Sequence, residues 1–111
     1  MLAVTALPAT AFAEKKDSTD DKMLTKITLN EVAHSIFYAP QYVAIEKGYF
    51  KDEGLDLTLI TGFGADKTMT AVISGEADIG FMGAEASIYA YQEGATDPVV
   101  NFAQLTQRAG N

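Results

Sequence analysis

The sequence predicts an α/β fold on a parallel sheet, in the order β-α-β-α-β-α-β. Three observations carry that prediction. Short apolar runs with two-residue alternation recur between stretches of helical periodicity. Glycines punctuate the ends of those helical stretches, at Gly48, Gly75 and Gly94. Strands separated by helices also need crossover connections, which make the strands parallel and the crossovers right-handed.

Each element follows from local pattern. Met23 to Val32, "MLTKITLNEV", alternates from Lys26 and forms the first strand, with Ile27 and Leu29 on one face and Thr28 and Asn30 on the other. "AHSIFY" is a loop. Ala39-Pro40 opens a helix, where proline's missing N–H does no harm, and Gly48 ends it. Tyr49, Phe50 and "KDEG" lead into "LDLTLI", Leu55 to Ile60, the clearest strand, with its leucines on one face. A second helix runs from about Asp66 to Ser74, with Met69, Val72 and Ile73 at i, i+3, i+4 spacing. "ADIGFM" is a short buried strand, and Ala84 to Glu93 a third helix. "ATDP" turns the chain into a fourth strand, Val99 to Gln104.

Composition narrows the function. The chain has 111 residues, enough for one domain, and 48% of them are hydrophobic. Its formal net charge of −7 argues against nucleic acid and anionic membrane surfaces, which select for basic patches. The chain has no cysteine, so disulfides, thiolate metal sites and thiol nucleophiles are excluded. A single histidine, His34, excludes a histidine-rich metal site and leaves no Ser-His-Asp constellation to assemble. No cofactor is implied.

The N-terminus reads as an address. "MLAVTALPATAFA", residues 1–13, is apolar and ends Ala11-Phe12-Ala13, the small-x-small pattern of a signal-peptidase site, although a basic start is missing. A truncated signal peptide and an exported protein are expected. Residues 14–25 are mostly polar with mixed charges and form an expected tether, leaving 26–111 as the folded part. The fourth strand has no helix after it to cover the sheet edge, so Asn111 is expected not to be a natural end.

Ligands of open α/β sheets bind beyond the carboxyl ends of the strands. Three loops meet those ends: Ala33–Ala39, Thr61–Asp66 and Met82–Ala86. Each leads into a helix N-terminus with unpaired N–H groups and a partial positive charge. "TGFGADKT" suggests a phosphate loop, but both phosphate motifs fail. Lys67 stands where a dinucleotide loop needs its third glycine, and Asp66 where a P-loop needs glycine before Lys-Thr. Gly62 and Gly64 then allow either close ligand approach or merely a tight turn. Phe37 and Tyr38 either stack on a planar ligand or plug the loop into the core. Asp66 either binds ligand or caps its helix, and Glu85 suits a first helical turn with no further role. Asp78 and Glu76 flank a turn and are expected to be solvated.

"FYAPQYVAIEKGYFKDEGLDLTLI", Phe37 to Ile60, resembles the opening of the solute-binding proteins of ABC importers, in the branch that handles nitrate, alkanesulfonates, taurine and thiamine-pyrimidine precursors. Ala44, Gly48, Tyr49, Phe50, Glu53, Gly54, Leu55 and Asp56 carry the likeness, and "AVISGEADIG", Ala71 to Gly80, adds a second match. The resemblance implies part of lobe 1 of a type 2 periplasmic binding protein, incomplete in this chain, with sheet order 2-1-3-n-4 and strand n from chain not present here. It implies a small-molecule ligand held between two lobes, an ABC permease as partner, and a monomer when complete. On this reading the ligand-binding residues are His34, Ser35, Phe37, Tyr38, Gly62, Gly64, Ala65, Asp66, Gly83, Ala84, Glu85 and Gln104, and half a cleft alone binds poorly. The implied ligand is a thiamine-type pyrimidine, favoured by the loop aromatics, or an anion of the sulfonate or nitrate kind, favoured by the helix N-termini. Two alternatives stay open. One is a pyrimidine synthase of the same fold that consumes its own histidine, here His34. The other is a flavodoxin-like nucleotide-binding domain.

Overall fold

The structure, a computed structural model, describes residues 23–107. The expected signal segment, residues 14–22 of the expected tether and residues 108–111 lie outside them. Strands β1 (Thr25–Glu31), β2 (Leu55–Thr61) and β3 (Ile79–Phe81) form a parallel sheet in the order β2-β1-β3. Between them run a 3₁₀ turn (Ile36–Tyr38) and helices α1 (Ala39–Glu46), α2 (Tyr49–Asp52) and α3 (Ala65–Ile73), and α4 (Glu85–Gln92) follows β3. The α/β class with a parallel sheet is as the sequence predicts, and 2-1-3 is the order that the resemblance implies.

That order fixes where the helices lie. The chain steps from β1 to β2 on one side and then from β2 across to β3 on the other. Right-handed crossovers therefore put α1 and α3 on opposite faces of the sheet. Side-chain partners agree. Asn30 and Glu31 are consecutive on β1 and point to opposite faces. Asn30 Oδ1 accepts from Thr68 Oγ1 of α3 at 2.9 Å, whereas Glu31 accepts from Gln41 and Tyr42 of α1. The reversal of direction about β1 is a topological switch point, the place where open α/β sheets leave a crevice.

The apolar core is small: Leu29, Met69, Ala71, Ala77 and Ala86 are buried. The two largest fully enclosed side chains are polar, Glu31 and Thr68, so the end of β1 is held by hydrogen bonds as much as by apolar packing. The start of the β1–β3 ladder is tied by Asp78. Its carboxylate accepts from the Thr28 N–H at 2.8 Å while its own N–H donates to the Thr28 carbonyl at 2.9 Å. Asp78 is exposed, as the sequence reading expects, and its carboxylate additionally ties the start of β3 to β1.

Two elements differ from expectation. Tyr49 to Asp52, read as connection, is a short helix, entered through Gly48 at φ 78°. Val99 to Gln104, read as a fourth strand, has no regular secondary structure. The expected order explains this: its neighbour would be strand n, and the described residues contain no strand between it and β3.

Candidate functional site

Register brings the three loops to one edge. Glu31 lies opposite Thr61 on β2 and opposite Phe81 on β3, so the last residues of all three strands form a row. Backbone bonds then lace the loops together. Val32 N–H donates to Phe81 O, Gly62 N–H to Glu31 O and Gly64 N–H to Val32 O, at 2.8 to 3.1 Å. His34, Gly64 and Gly83 therefore follow the C-terminal ends of adjacent strands on the same rim.

Glu31 is the centre of this rim. Its side chain is fully enclosed and its carboxylate is surrounded by four side chains. Gln41 Nε2 donates to Oε2 at 3.1 Å and the Tyr42 hydroxyl to Oε2 at 2.8 Å. Thr61 Oγ1 donates to Oε1 at 3.2 Å, and His34 Nδ1 stands 3.0 Å from Oε1. A buried carboxylate without partners would cost several kcal/mol, on the order of the penalty for any uncompensated charge; here about four acceptor sites meet four partners. The Tyr42 oxygen also accepts from the Ser35 N–H at 3.0 Å. Burial pushes the Tyr42 phenol above its usual pKa of 10.0; the Ser35 donation opposes this, and the Glu31 carboxylate adds to it.

The expected site residues divide. His34 is exposed, stacked on Tyr42 with ring centroids 4.2 Å apart. The Ser35 hydroxyl is spent on its own turn, accepting from Phe37 N–H at 3.3 Å. Of the two loop aromatics, Tyr38 is half-buried and packs edge-to-face against the half-buried Phe81 at 4.4 Å, and Phe37 stays about half exposed. Asp66 is exposed in the first turn of α3, and no side chain caps that helix, so the capping alternative is not what the structure shows. Gly83, Ala84 and Glu85 are exposed where α4 begins, also without a side-chain cap. Gln104 does not join the group by any hydrogen bond among the described residues; its amide donates to Thr106 O at 2.9 Å.

The glycine loop has two different requirements. A Cβ on Gly62 would fall 2.6 Å from Asn30 Oδ1 and 2.7 Å from Thr68 Oγ1, so this position needs space. Gly64 has φ 156° and ψ 147°, a region essentially confined to glycine, so it needs conformation. Between them Phe63 adopts φ 60° and is 79% exposed. A bulky residue held left-handed with its ring in solvent is the kind of strain that clusters at ligand sites. Phe63 was not singled out from the sequence; neither were Glu31, Gln41, Tyr42, Thr61, Asn30 and Thr68. One signal existed: a carboxylate ending a strand that the 2-1-3 order makes central.

Among the described residues no group of three His, Asp or Glu could hold a metal, and no helix is long and apolar enough to cross a membrane. A cavity of about 480 Å³ lies away from the rim, at the C-terminal end of α3 against Gly94 to Val99.

A protein family described as "NMT1/THI5 like" matches residues 36–111. The chain belongs to that family. It is also 57% identical over 90 residues to a Bacillus subtilis (strain 168) protein named "Putative binding protein YtlA", a match covering 81% of this chain and 27% of the relative. The chain thus spans about a quarter of that relative's length. No solved structure matches.

Proposed function

We propose that the protein containing this chain is the extracytoplasmic solute-binding component of an ABC importer, and that the rim described above is one wall of its ligand cleft. The observation that carries the reading is the convergence of three loops at the switch point of the sheet, around the enclosed Glu31. Family membership supports it, and so does a relative named as a binding protein. Residues 26–111 are then part of the first lobe. Export through the leader at 1–13 and handover to a membrane permease complete the role. Binding rather than catalysis is proposed, because the enclosed Glu31 carboxylate is taken up by its neighbours Gln41, Tyr42, Thr61 and His34, and a relative is named as a binding protein.

For the solute, we favour a planar heterocycle of the thiamine-pyrimidine type. Phe37 and Phe63 offer exposed aromatic faces, and no lysine or arginine stands within the three loops. A sulfonate or nitrate-like anion is the second reading, favoured by the uncapped N-termini of α1, α3 and α4. Calorimetric titration of the full-length protein with an aminopyrimidine, taurine and nitrate separates them. Micromolar or tighter binding of the aminopyrimidine is expected. Tight binding of taurine or nitrate alone rejects the heterocycle, and no binding of any compound rejects the solute reading for this panel.

A further inference from the structure

We propose that Glu31 is a positioning residue: it holds His34 with Nδ1 as the hydrogen-bond donor, leaving Nε2 as an acceptor on the open side of the rim, where the solute presents an N–H or O–H donor. The last clause rests on the solute reading above; the tautomer does not.

The argument begins from the carboxylate. Gln41, Tyr42 and Thr61 each donate to Glu31, and the fourth neighbour, His34 Nδ1, stands 3.0 Å from Oε1. An enclosed carboxylate offers only lone pairs in that direction. A bare Nδ1 would set two acceptors face to face and leave Oε1 short of a donor, so Nδ1 carries the hydrogen. The hydrogen bond made by one ring nitrogen decides the state of the other. In the neutral ring Nε2 is then a lone-pair acceptor.

The ring's orientation follows from its contacts. It lies against Tyr42, with planes 24° apart, while Nδ1 reaches inward to the enclosed Glu31. The side chain as a whole is 70% exposed. Nε2, across the ring from Nδ1, is therefore on the solvent side. Protonation would turn this acceptor into a donor. The titratable groups against the ring are Glu31 from β1 and Tyr42 from α1, with Tyr38 beside Tyr42.

Nitrogen-15 NMR tests the tautomer directly, using full-length protein labelled at histidine and a His34→Asn variant to assign the His34 signals. The expected spectrum of the neutral ring has a protonated Nδ1 and a bare Nε2. A predominantly Nε2-protonated ring overturns the proposal, with no ligand needed. In Glu31→Gln, checked for folding by circular dichroism, a mixture of tautomers is expected; an unchanged tautomer in a folded variant overturns the role of Glu31. The solute clause is read by comparing 4-amino-2-methylpyrimidine with 2-methylpyrimidine. His34→Leu is expected to weaken the amino compound at least tenfold and the other compound little, with His34→Gln, which keeps an acceptor, in between. Equal losses for both compounds overturn the acceptor role. If wild type binds neither compound, the heterocycle reading fails and the solute clause with it, while the tautomer result still decides the positioning claim.

Discussion

Replacing Gly62 with alanine is expected to destabilise the protein through space alone. The added methyl carbon falls 2.6 Å from Asn30 Oδ1 and 2.7 Å from Thr68 Oγ1, both well inside contact distance. Those atoms are the two ends of a buried hydrogen bond of 2.9 Å that pins α3 to β1. Thr68 is fully enclosed and Asn30 nearly so, so neither can swing out to water. Overpacking a tight site costs about 1–3 kcal/mol, and leaving a buried polar group unpaired costs about 1–3 kcal/mol. A combined loss of about 2–4 kcal/mol is expected, since relieving one strain partly relieves the other. Urea unfolding followed by circular dichroism measures it, as a lower midpoint at unchanged slope. The decisive comparison is the same substitution in an Asn30→Ala, Thr68→Ala background. With both clashing atoms gone, most of the Gly62→Ala cost should vanish, a coupling of the kind expected for residues in contact. A cost below about 0.5 kcal/mol in wild type, or an equal cost in both backgrounds, refutes the steric account.

Three further outcomes follow from the same geometry. Gly64→Ala, two residues on, is expected to cost about 1–3 kcal/mol because of its backbone region; its added methyl also meets Asp66 Oδ1 at 2.5 Å, but that side chain is exposed and can turn away, so Asp66→Ala should recover only a small part of the cost in the same urea assay. Phe63→Gly should leave stability unchanged or slightly higher, because it removes a left-handed phenylalanine, yet weaken binding of the proposed pyrimidine at least several-fold by calorimetry. Raising pH should erode stability from about pH 10 upward: Tyr42 keeps its proton longer in the folded state than in the unfolded chain, so the unfolded state binds fewer protons in that window and stability falls with pH. Tyr42→Phe should show a shallower alkaline loss in thermal melts at matched ionic strength.

The fold was legible wherever periodicity and punctuation agreed. Leu55 to Thr61, the Met69-bearing helix and the helix opened by Pro40 lie within a residue or two of their expected bounds. What failed was what depends on partners distant in sequence. Val99 to Gln104 has the composition of a strand, but a strand exists only against a neighbour, and no local pattern reports whether that neighbour is there. The site shows the same divide. The loops that sequence reasoning placed at the rim are at the rim, because strand order and direction suffice to put them there. Glu31 escaped notice because its importance is set by Gln41, Tyr42 and Thr61, up to 30 residues away, and nothing local distinguishes an enclosed glutamate from a solvated one. Phe37 and Tyr38 are adjacent and alike in sequence, yet the turn sends one ring to Phe81 and the other outward.

The closed set of partners around Glu31 also constrains how this protein can diverge over evolutionary time. Loss of any one partner leaves one acceptor position of an enclosed carboxylate unmet, so drift at Gln41, Tyr42 or Thr61 is penalised. Phe37 and Phe63 have no such obligations, and Ile36, next to Phe37 in the chain, is 84% exposed. If the proposed role holds, lineages that change their solute should therefore vary these outward rings first and inherit the glutamate's enclosure intact.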